Sequence, residues 1–136
     1  MGKALFGGQL LDFGGAKDLF VSRLNASGEF AWTTTAGGDH DQVGVDIARD
    51  GSGNLIVAGD FEGDSSWGSI TLSAQGESDC FVAMLDPTGK WLRVTPMGGP
   101  DWSWVAAVAA DGQGNSCVTG SMSTAGPSRS PIAWRG

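Results

Sequence analysis

One histidine, two cysteines and no tyrosine occur among the 136 residues, and each scarcity removes a class of chemistry. With His40 as the sole imidazole, a Ser-His-Asp triad has a single candidate base, and no G-x-S-x-G elbow accompanies it. A closed zinc site needs four ligands, and neither a second histidine nor a close cysteine pair is present. No metal is expected. Cys80 and Cys117 lie on separate apolar segments and read as small buried residues rather than as a disulfide or a nucleophile. A phosphate loop of the G-x-x-x-x-G-K-[ST] type is missing. No apolar run reaches the ~18 residues of a membrane helix. The opening MGKALFGGQLLDFGG has no charged segment leading into a long apolar one, so no signal peptide is read there.

Basic residues are also few. Eight Lys and Arg face 15 Asp and Glu, for a net charge of −7. An acidic surface repels phosphate backbones, so no nucleic-acid partner is expected, and no membrane partner either. Carboxylates are numerous enough for a glycosidase pair, but nothing in the sequence sets two of them face to face. The expectation is a protein with no cofactor and no catalytic residue, not an enzyme.

What the chain does have is glycine, 23 residues of it, without a G-X-Y period. Glycine at this density belongs to turns and hairpin corners. Short segments rich in Val, Leu and Phe lie between them, among them Leu19–Leu24, Leu55–Ala58 and Cys80–Leu85. No window carries a helical stripe beyond about two turns. The chain reads as all-β.

A constant offset organises it. Asp18-Leu19-Phe20-Val21 returns as Asp79-Cys80-Phe81-Val82, and Gly37-Gly38 as Gly98-Gly99. Asp50-Gly51-Ser52-Gly53-Asn54 returns as Asp111-Gly112-Gln113-Gly114-Asn115. The numbers differ by 61 in every case. Laid without a gap, residues 6–65 and 67–126 share 18 identities in 60 positions, 8 of them glycine. The spacing predicts two repeats within 1–126, copy one at 6–66 and copy two at 67–126, with a degenerate tail at 127–136. One unit holds four strands, expected at Val45–Arg49, Leu55–Gly59, Cys80–Leu85 and Trp91–Thr95. Asp50–Asn54 and Asp86–Gly89 supply tight turns. The long connection Asp60–Asp79 has room for an extra strand at Ile70–Leu72. Four antiparallel strands in sequence order describe a propeller blade.

The string VGVDIARDGSGNLIVAGDF, followed by ITLSAQGESDCFVAMLDPTGKWL and a Gly-Gly end, resembles the bacterial β-propeller repeat called the SBBP repeat. Its marks are an Asp-x-x-Gly-Asn hairpin, a Val-x-Gly strand end, an Asp-x-Phe-Val strand and an Asp-x-x-Gly turn, carried by residues 6–126. The resemblance implies a β-propeller of repeated blades, often in secreted or cell-surface proteins, with no common catalytic site. Two departures stand out. Two repeats replace the usual many, and the tail GPSRSPIAWRG drops the pattern.

The pieces come as half a blade, a whole one and another half. Strands at Leu19–Leu24 and Glu29–Thr35 form the first half, and Val105–Ala110 with Ser116–Gly120 the last. Two blade equivalents cannot close a ring. The expected partner is therefore the chain itself, as a homo-oligomer of three or four copies with six or eight blades, acting as a structural or interaction scaffold. The alternative is a fragment of a longer secreted propeller protein.

The Asp50/Ser52/Asn54 spacing lacks the longer loop and final Glu of an EF-hand, and Asx side chains capping their own turn account for it better. Asp39, His40 and Asp41 read as a solvated loop. Blade geometry gathers Asp39–Gln42, Phe61–Trp67 and Pro100–Trp104 on one loop face. That face offers Trp67, Asp101, Trp102, Trp104, Asp39 and His40 as candidate ligand-binding residues. Aromatic faces beside carboxylates suit a sugar, so a glycan is the alternative partner and lectin-like binding the alternative function.

Overall fold

The computed structural model describes residues 2–124, and the expected tail at 127–136 lies outside them. The described chain is all-β, with twelve strands, and among the described residues no helix is long and apolar enough to cross a membrane. Its centre is a four-stranded antiparallel meander of β5 (Gln42–Arg49), β6 (Leu55–Phe61), β9 (Asp79–Leu85) and β10 (Trp91–Met97). These are the four strands expected for one blade, each extending slightly further at an end. Asp50 closes the first turn by accepting the amides of Ser52 and Asn54 and the Asn54 side chain, as an Asx cap should. Asp111 repeats the set on Gln113 and Asn115. Asp86 does the same for Thr88 and Lys90.

On either side lie two-stranded pieces, β3 (Leu19–Leu24) with β4 (Phe30–Gly38) and β11 (Trp102–Ala110) with β12 (Ser116–Ser123). Alternation in β9 decides the stacking. Phe81, Ala83 and Leu85 point to one face, where Leu19, Val21 and Ala36 of β3–β4 cover them together with Val57, Phe61 and Trp91. Cys80 and Met84 point to the other, where they join Ile56, Ala58, Val105 and Val108 of β11. Two carboxylates tie that second contact. Asp60 accepts the Val105 amide at 2.7 Å, and Asp46 accepts that of Val108 at 2.9 Å. Both β5 and β11 carry a register shift at equivalent places in the two repeats, between Gly44 and Asp46 and between Val105 and Ala107. A bulge removes an amide from its own ladder, and in β11 the neighbouring sheet receives one.

Two hairpins go beyond the sequence reading. β1 (Gly2–Phe6) and β2 (Gln9–Phe13) form one, turning at Gly7 and Gly8, both at positive φ as a two-residue turn requires. β7 (Asp64–Trp67) and β8 (Ile70–Ser73) form the other, inside the long connection where only β8 is expected. This second hairpin leaves its own sheet. Ser65 and Ser66 pair with Gly38 and Gly37 of β4, so the sheet of β3 and β4 continues as β3-β4-β7-β8. Cys117 also departs from expectation, for it is exposed where Cys80 is buried. Its counterpart in the first repeat, Ile56, is buried because β11 covers it, whereas no described sheet lies over β12.

The capped turns make stability fall in acid. Bonds from Asn54, Asn115 and Thr88 hold Asp50, Asp111 and Asp86 below the ordinary carboxylate value, and the Val108 amide does so for Asp46. Such groups bind protons more readily unfolded, so their contribution is complete above the unfolded value near 4 and is lost as pH falls through the lowered ones. Asp60 works oppositely, since burial raises it and its charge opposes folding at neutral pH. Urea midpoints are expected to hold from pH 7 to about 5 and to drop below about 4. An unchanged midpoint at pH 3 would contradict the role given to the three caps and Asp46.

Candidate functional site

The recurring motif residues are used up by structure. Asp79 is 2% exposed and accepts the amides of Gln75 at 2.7 Å and Gly76 at 3.3 Å. Asp18 takes those of Gly14 and Gly15 in the same way. Each carboxylate lies against a glycine, Asp18 on Gly37 and Asp79 on Gly98, where any side chain would collide with it. The recurring Asp and the first glycine of each Gly-Gly are thus one fastening seen twice.

Of the cavities among the described residues, one of about 340 Å³ lies between the end of β6, the start of β11 and the approaches to β3 and β5. Lys17, Asp41, Asp60, Glu62, Trp102 and Trp104 line it, with Val43, Phe61 and Ser78. Backbone bonds fix its walls: Gln42 N–H to Lys17 O, Glu62 N–H to Asp41 O, and Ser103 N–H to Ser78 O. The Lys17 ammonium sits 3.4 Å from Asp41. Burial raises Asp60, partly offset by the Val105 amide and the Cys80 thiol. Burial likewise raises the Cys80 thiol, assisted by the Asp60 and Asp79 carboxylates. A thiol held protonated and buried is a poor nucleophile.

Of the residues expected on the loop face, the structure brings Trp102 and Trp104 together in this cavity, both half-buried. Asp101 is exposed and does not line it; its carbonyl accepts the Glu77 amide. Asp39 and His40 are exposed in the turn before β5, with the His40 ring against Gly63. Trp67 is elsewhere. It is 0% exposed, packed against Phe81 and Trp91, and its indole N–H is bonded to Ser65 Oγ, so no ligand on the surface reaches it.

Lys17, Asp60 and Ser78 escape the sequence reading. The offset offers a signal, for Lys17 and Ser78 occupy equivalent places in the two repeats, and both carbonyls accept the amide that opens the next sheet. Among the described residues no group of three His, Cys, Asp or Glu is arranged to hold a metal ion. Chemically the cavity offers two indole faces, three carboxylates and one ammonium, a combination that accepts hydroxyl donors. No family model matches the chain, and no curated protein matches it.

Proposed function

We propose that the chain is a non-catalytic scaffold module that acts by assembling with further copies of itself into a closed propeller. One observation carries this reading. The central sheet has four strands with β6 and β9 side by side. On one flank β11 and β12 form a two-stranded sheet and on the other β3 ends its sheet as an edge strand, so β12 and β3 each lack such a neighbour among the described residues. In the repeat, β3 and β4 stand where β9 and β10 do, and β11 and β12 where β5 and β6 do. Exposed edges of this sort invite further strands. The resemblance to the SBBP-type repeat supports the same view. Light scattering coupled to gel filtration is expected to give a discrete trimer or tetramer at micromolar concentration. A monomer would remove the reading.

The cavity at Trp102 and Trp104 favours a second reading, carbohydrate binding on the loop face. Indole rings stack on sugar faces while Asp41 and Glu62 accept hydroxyl protons. Titration with a broad panel of simple sugars should then change tryptophan fluorescence, and Trp102→Ala should abolish the change. Silence across the panel would eliminate it.

A further inference from the structure

Inside the central sheet β6 and β9 are neighbours, paired antiparallel from Leu55↔Leu85 to Phe61↔Asp79. Their counterparts in the other repeat are β12 and β3, and among the described residues these do not pair. β3 pairs with β4 alone and β12 with β11 alone. We propose that β12 of one copy adds to the free edge of β3 of a second copy. The register follows from β6–β9: Ser116↔Leu24, Cys117↔Arg23, Val118↔Ser22, Thr119↔Val21, Gly120↔Phe20 and Ser121↔Leu19. This rests on the assembly reading and gives it a defined interface.

Three features fit a second copy rather than another occupant. First, a groove of about 480 Å³ runs beside the β3 edge, walled by Leu19, Val21, Val43, Val45, Ile47 and Val57. Val45 and Ile47 are 42% and 49% exposed there. In the other half of the molecule the corresponding strand, β11, lies over β5, β6 and β9 and is covered by them. An incoming β12, with its β11, supplies the same cover to β5. Second, Gly120 falls opposite Phe20 just as Gly59 falls opposite Phe81, and a Cβ at Gly59 would press within 3.0 Å of the Phe81 ring. The small residue is where the ring needs it.

Third, Phe6 meets Phe20 and Phe30 edge-on at 4.6 and 6.0 Å, repeating the meeting of Trp67 with Phe81 and Trp91 at 4.6 and 5.0 Å. The second cluster is buried under Leu19, Val21 and Ala36. The first is open, with Phe20 at 53% and Phe30 at 41% exposure. In the second repeat the counterparts of those covering residues are Cys80, Val82 and Met97. On that face of the central sheet a cavity of about 230 Å³ is lined by Val82, Met84, Met97 and Val118. The Phe20 ring of the next copy fits there. Each copy thus carries both halves of one contact, which makes the interface heterologous, of the kind that generates rings or open chains.

The register has a direct test, because Cys117 is an exposed free thiol. Arg23 is exposed and makes one long bond, to Pro87 O at 3.4 Å, so Arg23→Cys should fold. Directly opposed strand residues lie within disulfide reach. Mild oxidation of Arg23→Cys is expected to give a covalent ladder of copies on a non-reducing gel. The Arg23→Cys, Cys117→Ser double variant should give none. Ser22→Cys, whose side chain points to the other face, should yield roughly a tenth or less of the ladder. Circular dichroism confirms that each variant is folded. Oligomers by light scattering with no ladder, or a ladder from Ser22→Cys instead, overturn the register and leave the assembly reading standing. A folded monomer, whatever covers its β12 edge, overturns both.

Discussion

Trp67→Ala is expected to lower the free energy of unfolding by about 3–5 kcal/mol, the range for deleting a large buried aromatic. The indole is fully buried, touches Phe81 and Trp91 edge-on, and uses its N–H on Ser65 Oγ. Alanine leaves a cavity between the β7–β8 hairpin and β9 and removes the largest of the hairpin's anchors. The others are two backbone pairs to β4, the inward side chain of Ser65, and Ile70 and Leu72 packed against the same core. Phe6→Ala is the internal comparison. Phe6 sits at the equivalent place against Phe20 and Phe30 but in a half-open cluster. In copies diluted apart its loss should cost about half as much or less, since little cavity is enclosed until a neighbour covers the cluster. Urea unfolding of the two variants side by side measures the difference. Equal costs would mean that Trp67 is not the anchor described.

Gly59→Ala should be nearly as damaging, about 3 kcal/mol or more, at the upper end for overpacking. The reason is proximity rather than conformation. A Cβ on Gly59 would run into the Val43 carbonyl, a backbone atom of the neighbouring strand beside the bulge, and stand 3.0 Å from the Phe81 ring. Neither can retreat without breaking the β5–β6 ladder or the core. Gly99→Ala meets nothing within 4 Å and should change stability by about 0.5 kcal/mol or less. A mild Gly59→Ala would show that β5 moves aside, and with it the wall of the cavity formed by Val43.

Much of this is legible in advance because the alternation of side chains and the turn chemistry agree. LFVSRL at 19–24 is a strand at those bounds, and the DGSGN turn is capped as its residues demand. The recurrence of Asp18 and Gly37 as Asp79 and Gly98 points to a shared cause, though only the coordinates show the carboxylate resting on the glycine. Asp64–Trp67 is illegible for a physical reason. DSSW has no apolar alternation and little strand preference, and it is extended because β4, far earlier in the chain, supplies its partners. The surface placement of Trp67 fails with it, since a polar, glycine-flanked tryptophan resembles a loop residue until the hairpin is built. GKALFGGQLLDF, by contrast, carries a two-glycine turn signal that the sequence reading passes over. At the cavity, Trp102 and Trp104 are found by blade geometry, whereas Lys17 and Asp60 arrive from strand ends whose meeting depends on how adjacent sheets stack.

The clasp of β7 onto Gly37 and Gly38 changes how the molecule must come apart. In stacked arrays each layer usually holds its neighbour through side chains alone, and layers can melt one after another from an end. Here a hairpin that branches from the central sheet hydrogen-bonds into the adjacent one, so neither sheet can open without breaking backbone bonds of the other. Amides at the end of β4 and throughout β7 should therefore exchange with solvent at one common rate, as parts of one cooperative unit. The long connection that enlarges this unit beyond a plain four-stranded one is, in energetic terms, a coupling element between layers.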